Sequence, residues 1–259
     1  MAFAASYPGS PTSEVLGTLA ALSGQFDLYA EWSVNETVAM EGAAAASFTG
    51  LRSLVIMKAD GLNVAMDFAD SLAITGCRGG MVIVVGDDPS AHSSIREEDT
   101  RNLCKVLHLP VLEPASVQEA KDMTREAFAL SEALKLPVVV RCVTRICHAS
   151  GDMELGAVNR ALRESAFGRE DRMITFTIQP HVLQEQKMSR AAEMFNSSEF
   201  NLHSGPGGAS RLIIASGPSF MYALEALEML GLSHSVGVLK LGTTWPLPEQ
   251  LLLEHLKTA

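Results

Sequence analysis

The stretch EWSVNETVAMEGAAAASFTGLRSLVIMKADGLNVA, residues 31–65, decides the fold. Asn35, a residue type that caps helices, stands directly before Glu36, and the chain then runs through Ala and Gly without a proline. That pattern predicts a helix from Glu36 to about Phe48. The next run, RSLVIMK (52–58), is short and continuously apolar, as expected of a strand buried on both faces. The loop MKADGLN (57–63) closes the unit and carries Lys58, Gly61 and Asn63. Helix followed by buried strand is the building block of a parallel α/β sheet.

The same stretch poses a chemical question. An acid in the first turn of a helix interacts favourably with the helix dipole by about 0.3–1 kcal/mol, which is sufficient reason for Glu36. The small residues of AMEGAAAASFTG (39–50), however, let a helix come close to another backbone or to a flat ligand. Both readings of Glu36 stand at this point.

Outward from this unit the pattern repeats. GGMVIVVG (79–86), LPVVVRC (136–142) and SRLIIASG (210–217) are apolar runs bounded by turn residues. Between them, SVQEAKDMTREAFALSEALKL (116–136) sets Ala120, Met123, Ala127, Leu130 and Leu134 on one helical stripe. Residues 1–150 therefore read as one α/β domain. From 151 to 208 the sequence turns polar and weakly periodic, the texture of a connector. Residues 209–259 form a single β-α-β-α unit whose two parallel strands, LIIASG and VLKLG, have open edges, so a truncated second domain and self-association or a partner are expected.

Composition narrows the function. The chain has 259 residues, 47% of them hydrophobic, and 30 acidic against 20 basic residues give a net charge of -10 with no Lys/Arg cluster. Nucleic acid and anionic membrane surfaces are thereby disfavoured as partners. No apolar run reaches the ~20 residues of a membrane span, and the opening MAFAASYPGSP lacks a signal-peptide pattern, so a cytoplasmic location is expected. Cys77, Cys104, Cys142 and Cys147 form no CxxC pair and read as reduced thiols, and no metal site is expected on this chain. GCRGG (76–80) precedes a strand and SGPGGAS (204–210) lies in the connector, so both read as turns rather than phosphate loops. In GDDPSAHSS (86–94), Asp87, Asp88 and His92 are metal-ligand types, but the same residues are ordinary loop formers.

Together with the opening stretch, YPGSPTSEV (7–15), TGCRGGMVIVVGDDPSAHSSIREEDTR (75–101), LEPASVQEAKDMTREAFALSEALKLPVVVRCVTR (112–145) and VLKLGTTWPLPEQ (238–250) resemble the α subunits of indolepyruvate:ferredoxin oxidoreductases. These belong to the thiamine-diphosphate-dependent 2-oxoacid:ferredoxin oxidoreductase superfamily. The resemblance implies a parallel-sheet pyrimidine-binding domain followed by an incomplete transketolase C-terminal-like α/β domain. It also implies that Glu36 hydrogen-bonds N1′ of the thiamine aminopyrimidine and favours the tautomer that deprotonates the thiazolium C2. Ser10, in the family's Y-P-x-[ST]-P segment, would help hold the substrate carboxylate. The loops 57–63 and 87–94 would line the same cleft, with Gly61 and Asn63 as cofactor-contact candidates.

The implied reaction is oxidative decarboxylation of an aryl pyruvate to the acyl-CoA, with electrons passed to iron-sulfur clusters and ferredoxin in anaerobic metabolism. Phenylglyoxylate and branched-chain 2-oxoacids are alternative substrates, and a non-catalytic scaffolding subunit is an alternative role. The family's magnesium-coordinating G-D-[GS] motif and cysteine clusters do not occur in these residues. Mg2+ and the clusters are therefore expected on a partner domain or subunit, and a split subunit or fragment is expected.

Overall fold

The computed structural model describes residues 1–158, 163–171 and 178–258. In chain order its elements are β1 (Phe3–Ser6), α1 (Ser13–Phe26), β2 (Tyr29–Trp32), α2 (Glu36–Phe48), β3 (Ser53–Lys58), α3 (Ala59–Val64), α4 (Met66–Thr75), β4 (Met81–Asp87), α5 (Thr100–Val106), β5 (Val111–Leu112) and α6 (Val117–Leu134). Then follow β6 (Val138–Val143), α7 (Thr144–Cys147), α8 (Ile178–Asn196), β7 (Leu202–Ser204), β8 (Leu212–Ser216), α9 (Pro218–Met229), β9 (Gly237–Leu241), β10 (Thr243–Trp245) and α10 (Glu249–Thr258).

The architecture is α/β and mostly parallel. One sheet has the order β10-β5-β6-β4-β3-β1-β2, parallel throughout except for β10, which runs antiparallel to β5. A second sheet has the order β7-β9-β8. The central strands β3 and β4 are buried along nearly their whole length, which is why they read as unbroken apolar runs.

Helices cover both faces of the large sheet. One face buries Ala39, Met40, Ala43 and Ala44 of α2 with Ala69 and Leu72 of α4 and Cys104 of α5. The other buries Leu16 of α1, Met123, Ala127, Leu130 and Leu134 of α6, and Met188, Ala191 and Phe195 of α8. The apolar stripe read in 116–136 is thus the buried stripe of α6, started by Ser116, which accepts the Glu119 N–H at 3.2 Å.

Three expectations need correction. For Ala39, Ala43 and Ala44 of α2 the flat-ligand reading gives way to its alternative, close approach to another backbone: all three are fully buried, and their small side chains let α2 lie tightly on its own sheet. The span 151–208 carries the 19-residue helix α8, whose stripe Gln184, Met188, Ala191 and Phe195 is interrupted by polar residues and so escapes a periodicity reading. Finally, β9 is not an open edge, because β7 pairs with it antiparallel through His203 and its neighbours.

The two sheets are tied together by chemistry as well as by β10. The Glu113 N–H donates to the Gly242 carbonyl at 2.8 Å. Asn201 bonds both the Thr243 hydroxyl, at 2.8 Å, and the Gly242 N–H, at 2.9 Å. Lys240, 2% exposed, pairs with Glu119 of α6 and lies over the Phe220 ring.

Candidate functional site

In a parallel sheet the carboxyl ends of the strands lie along one edge, and here that edge gathers the residues singled out above. Asn35 caps α2 by accepting the Val38 N–H at 2.9 Å, which fixes Glu36 as the first helical residue. Glu36 is only 7% exposed. Among the described residues, no group hydrogen-bonds its carboxylate.

Gly61 explains how that carboxylate is seated. A Cβ built on Gly61 would stand 2.6 Å from the Glu36 Cγ, 2.8 Å from its Oε1 and 3.0 Å from the Met57 Cβ. The glycine in MKADGLN therefore makes room for the acid, and the structure brings these two sequence-predicted residues together. Thr37 donates to the Val64 carbonyl at 3.5 Å, joining the start of α2 to the end of α3. Val34, Val38 and Val64, around this mouth, are 80%, 39% and 57% exposed.

Ser10, in the turn before α1, and Asn63, in α3, make no hydrogen bond to Glu36. Ser10 is exposed and receives a hydrogen bond from the Ser93 hydroxyl at 3.2 Å. Asn63 is exposed and donates to Glu98 at 3.4 Å. Arg96 bonds the same Glu98 oxygen at 2.8 Å and pairs with Asp60 at 3.1 Å, and Lys58 reaches Asp60 at 2.9 Å. The stretch 57–63, read from the sequence as a loop, is the end of β3 and the short helix α3, and it is laced to residues 96–98 by charge.

The acids of GDDPSAHSS are spent on structure. Asp88 accepts N–H bonds from Ser93 at 2.7 Å and Ser94 at 2.9 Å and a hydroxyl from Thr144 at 2.7 Å. Those donors, the Ser93 N–H foremost, hold its carboxyl well below the usual carboxylate range. Asp87 is fully buried and accepts from Arg141 at 2.6 Å and from both the hydroxyl and the N–H of Thr100 at 2.7 and 3.1 Å. Burial pushes the Asp87 carboxyl up, and Arg141 and Thr100 pull it back. Arg141 also bonds Glu113 at 2.8 Å. Among the described residues no group of three or more His, Cys, Asp or Glu side chains is placed to hold a metal ion.

Sequence reasoning missed the Asp87–Arg141–Glu113 group. Its signal was present: a lone arginine inside the otherwise apolar run VVVRCV. A cleft of about 950 Å3 opens beside the group, lined by His92, Arg141, Thr144, Arg145, Ser219 and Tyr222. Neither Glu36 nor Gly61 lines it, so this cleft and the unpartnered acid are separate features.

Comparison with known proteins bears on the whole chain. The family model "Pyruvate flavodoxin/ferredoxin oxidoreductase, thiamine diP-bdg" matches residues 1–205. The indolepyruvate oxidoreductase subunit IorA of Pyrococcus abyssi is 44% identical over 257 residues, covering 96% of this chain and 40% of that protein. Its counterpart in Methanothermobacter marburgensis is 40% identical over 259 residues, covering 98% of this chain and 41% of the relative. The chain thus spans about 40% of the length of the curated relatives it matches.

Among solved structures, 2-oxoglutarate:ferredoxin oxidoreductase from Magnetococcus marinus superposes with a TM-score of 0.72 at 17% identity, covering 100% of this chain and 53% of that one. A split-gene transketolase, an inactive β4 tetramer, gives 0.60 at 14% identity and covers 100% of this chain and 71% of its own. At such identities these likenesses concern the fold. No helix among the described residues is long and apolar enough to cross a membrane.

Proposed function

This chain belongs to the pyruvate flavodoxin/ferredoxin oxidoreductase thiamine-diphosphate-binding family, and from that premise we propose that it is the pyrimidine-binding component of a cytoplasmic 2-oxoacid:ferredoxin oxidoreductase acting on indolepyruvate or a related aryl pyruvate. Residues 1–150 form the pyrimidine-binding unit, 151–208 the connector, and 209–259 the start of a transketolase C-terminal-like domain. The observation that carries the reading is Glu36, 7% exposed as a residue, whose carboxylate takes no hydrogen bond from a described residue and rests on the bare backbone of Gly61.

An acid seated in a mostly buried side chain, with no protein donor on its oxygens, is open to a ligand that supplies one. The donor set fits the aminopyrimidine of thiamine diphosphate. Glu36 holds or moves a proton at N1′, and Gly61 keeps the carboxylate in place for it. When bound, thiamine diphosphate supplies the electron sink for chemistry at the keto carbon. Ser10, tied to Ser93, would offer its hydroxyl to the substrate carboxylate, and Asn63 of α3 is a second candidate for cofactor contact.

The exposed valines around Glu36 suit coverage by a partner surface, the domain or subunit that binds the diphosphate and Mg2+. Iron-sulfur clusters on a partner would supply the electron acceptor, and coenzyme A the acceptor for the acyl group. The complex purified from its source should reduce a viologen dye when given thiamine diphosphate, indolepyruvate and coenzyme A. Deuterium exchange at C2 of the bound thiamine should depend on Glu36. A complex without thiamine-dependent exchange overturns the proposal.

A further inference from the structure

A hydroxyl alone is a weak receptor for a carboxylate, and a cation beside it is the chemistry that would make binding firm. We propose that Lys58 is that cation, the residue that with Ser10 receives the carboxylate of the 2-oxoacid; the inference rests on the functional reading above. Lys58 ends β3, and its side chain lies on Gly9, the residue before Ser10. A Cβ at Gly9 would stand 3.0 Å from the Lys58 Cγ and 3.2 Å from its Cδ. Bare backbone at Gly9 thus provides the path along which the lysine stem runs.

The same short segment reaches the proton-handling acid on its other side. Met57, directly before Lys58, and Glu36 both close on Gly61, within 3.0 Å of the space its Cβ would fill. Segment 57–61 therefore joins the Ser10 loop to the Glu36 carboxylate. A 2-oxoacid needs its carboxylate held at one end while the keto carbon faces the cofactor, and Lys58 stands at that end.

The charge on Lys58 is also available. Its ammonium has three donors and one partner, Asp60, at 2.9 Å. Asp60 divides its charge between Lys58 and Arg96, which lies 3.1 Å from its other oxygen. Arg96 is further neutralised by Glu98, whereas Lys58 has no second acid among the described residues and keeps a side chain 28% exposed. Asp60 steers the ammonium without cancelling it.

The experiment uses the complex purified from its source, with indolepyruvate as substrate. Lys58→Met should raise KM by ~10- to 100-fold, the size expected for a lost charge-assisted hydrogen bond, with kcat changed much less. Deuterium exchange at the thiamine C2 without substrate should match wild type, because it depends on Glu36. Lys58→Arg should restore most of the affinity, and Asp60→Asn, which keeps the ammonium, should leave KM within about threefold.

An unchanged KM in Lys58→Met overturns the assignment. So does a rise in KM for Asp60→Asn as large as that for Lys58→Met, which would make the lysine only an anchor for α3. A wild-type complex without thiamine-dependent exchange would fail before any variant is compared, and it would overturn the functional reading and this inference together.

Discussion

Glu36 and Asp87 are two buried carboxylates on the same edge of one sheet, and they are treated oppositely. Asp87 receives three donors from Arg141 and Thr100, and Arg141 is itself shared with Glu113. Glu36 receives none from any described residue, and only a missing side chain at Gly61 makes room for it. A carboxylate neutralised from within is part of the scaffold. One left without a protein donor is, in the function proposed above, the one that meets the cofactor.

The contrast breaks most clearly at Glu36. In the purified complex, Glu36→Gln should slow turnover and C2 exchange by roughly 10²- to 10⁴-fold. Unfolding free energy should fall by no more than the ~0.3–1 kcal/mol of a helix-dipole contact. Unchanged exchange would leave Glu36 with a dipole role alone.

Arg141→Met should show the opposite signature. It leaves Asp87 and Glu113 uncompensated inside the protein, at a cost of about 3–5 kcal/mol in chemical denaturation. A loss under ~1 kcal/mol would mean that Asp87 is no better held than an exposed ion pair.

Gly61→Ala sharpens the comparison through geometry. The new methyl must displace the Glu36 carboxylate, because it would stand 2.8 Å from Oε1. Displacement by about 1 Å should cost up to ~10²-fold in rate. Wild-type exchange in Gly61→Ala would show that the placement of the acid does not matter.

Glu132 is an intermediate case, half-buried and held at the opposite edge by Arg52 at 2.9 Å and Arg163 at 2.6 Å. The Arg52 hydrogen bond, ahead of the opposing effect of burial, lowers its pKa from 4.5 to about 2. A depressed pKa stabilises the fold above the ordinary value, and that contribution fades as pH falls from 4.5 towards about 2. Solvent screens the pair, so Glu132→Gln should cost only ~1 kcal/mol at pH 7 and nothing near pH 2. Equal costs at the two pH values would contradict the assignment.

What could be read from residues alone follows from how many neighbours in sequence share a cause. The helix behind Asn35, the runs SLVIMK and MVIVV, and the stripe of α6 each repeat one physical demand over many positions. Strands β7 and β10 have three residues each and exist because a distant strand offers its edge. No local pattern announces such pairing. The same holds for the site: Glu36 and Gly61 were each visible as candidates, but the contact between them, the Ser10–Ser93 bond and the Asp87–Arg141–Glu113 group join residues 25 to 83 positions apart or lie across strands. Arg141 was hidden by its own surroundings, since an apolar run was read for what it had in common.

The antiparallel strand β10 has a consequence for anyone who dissects this chain. The match to the family model ends at residue 205, which invites a recombinant piece ending there. Such a piece would lack Thr243–Trp245 and Gly242, and with them the pairing on β5 and the acceptor for the Glu113 amide. It would also lack Lys240, leaving Glu119 at the start of α6 without its counter-ion. The end of the family-model match is therefore not a folding boundary, and expression of 1–205 should yield a sheet with a raw flank prone to sticking to its own copies, whereas expression through α10 carries its own border.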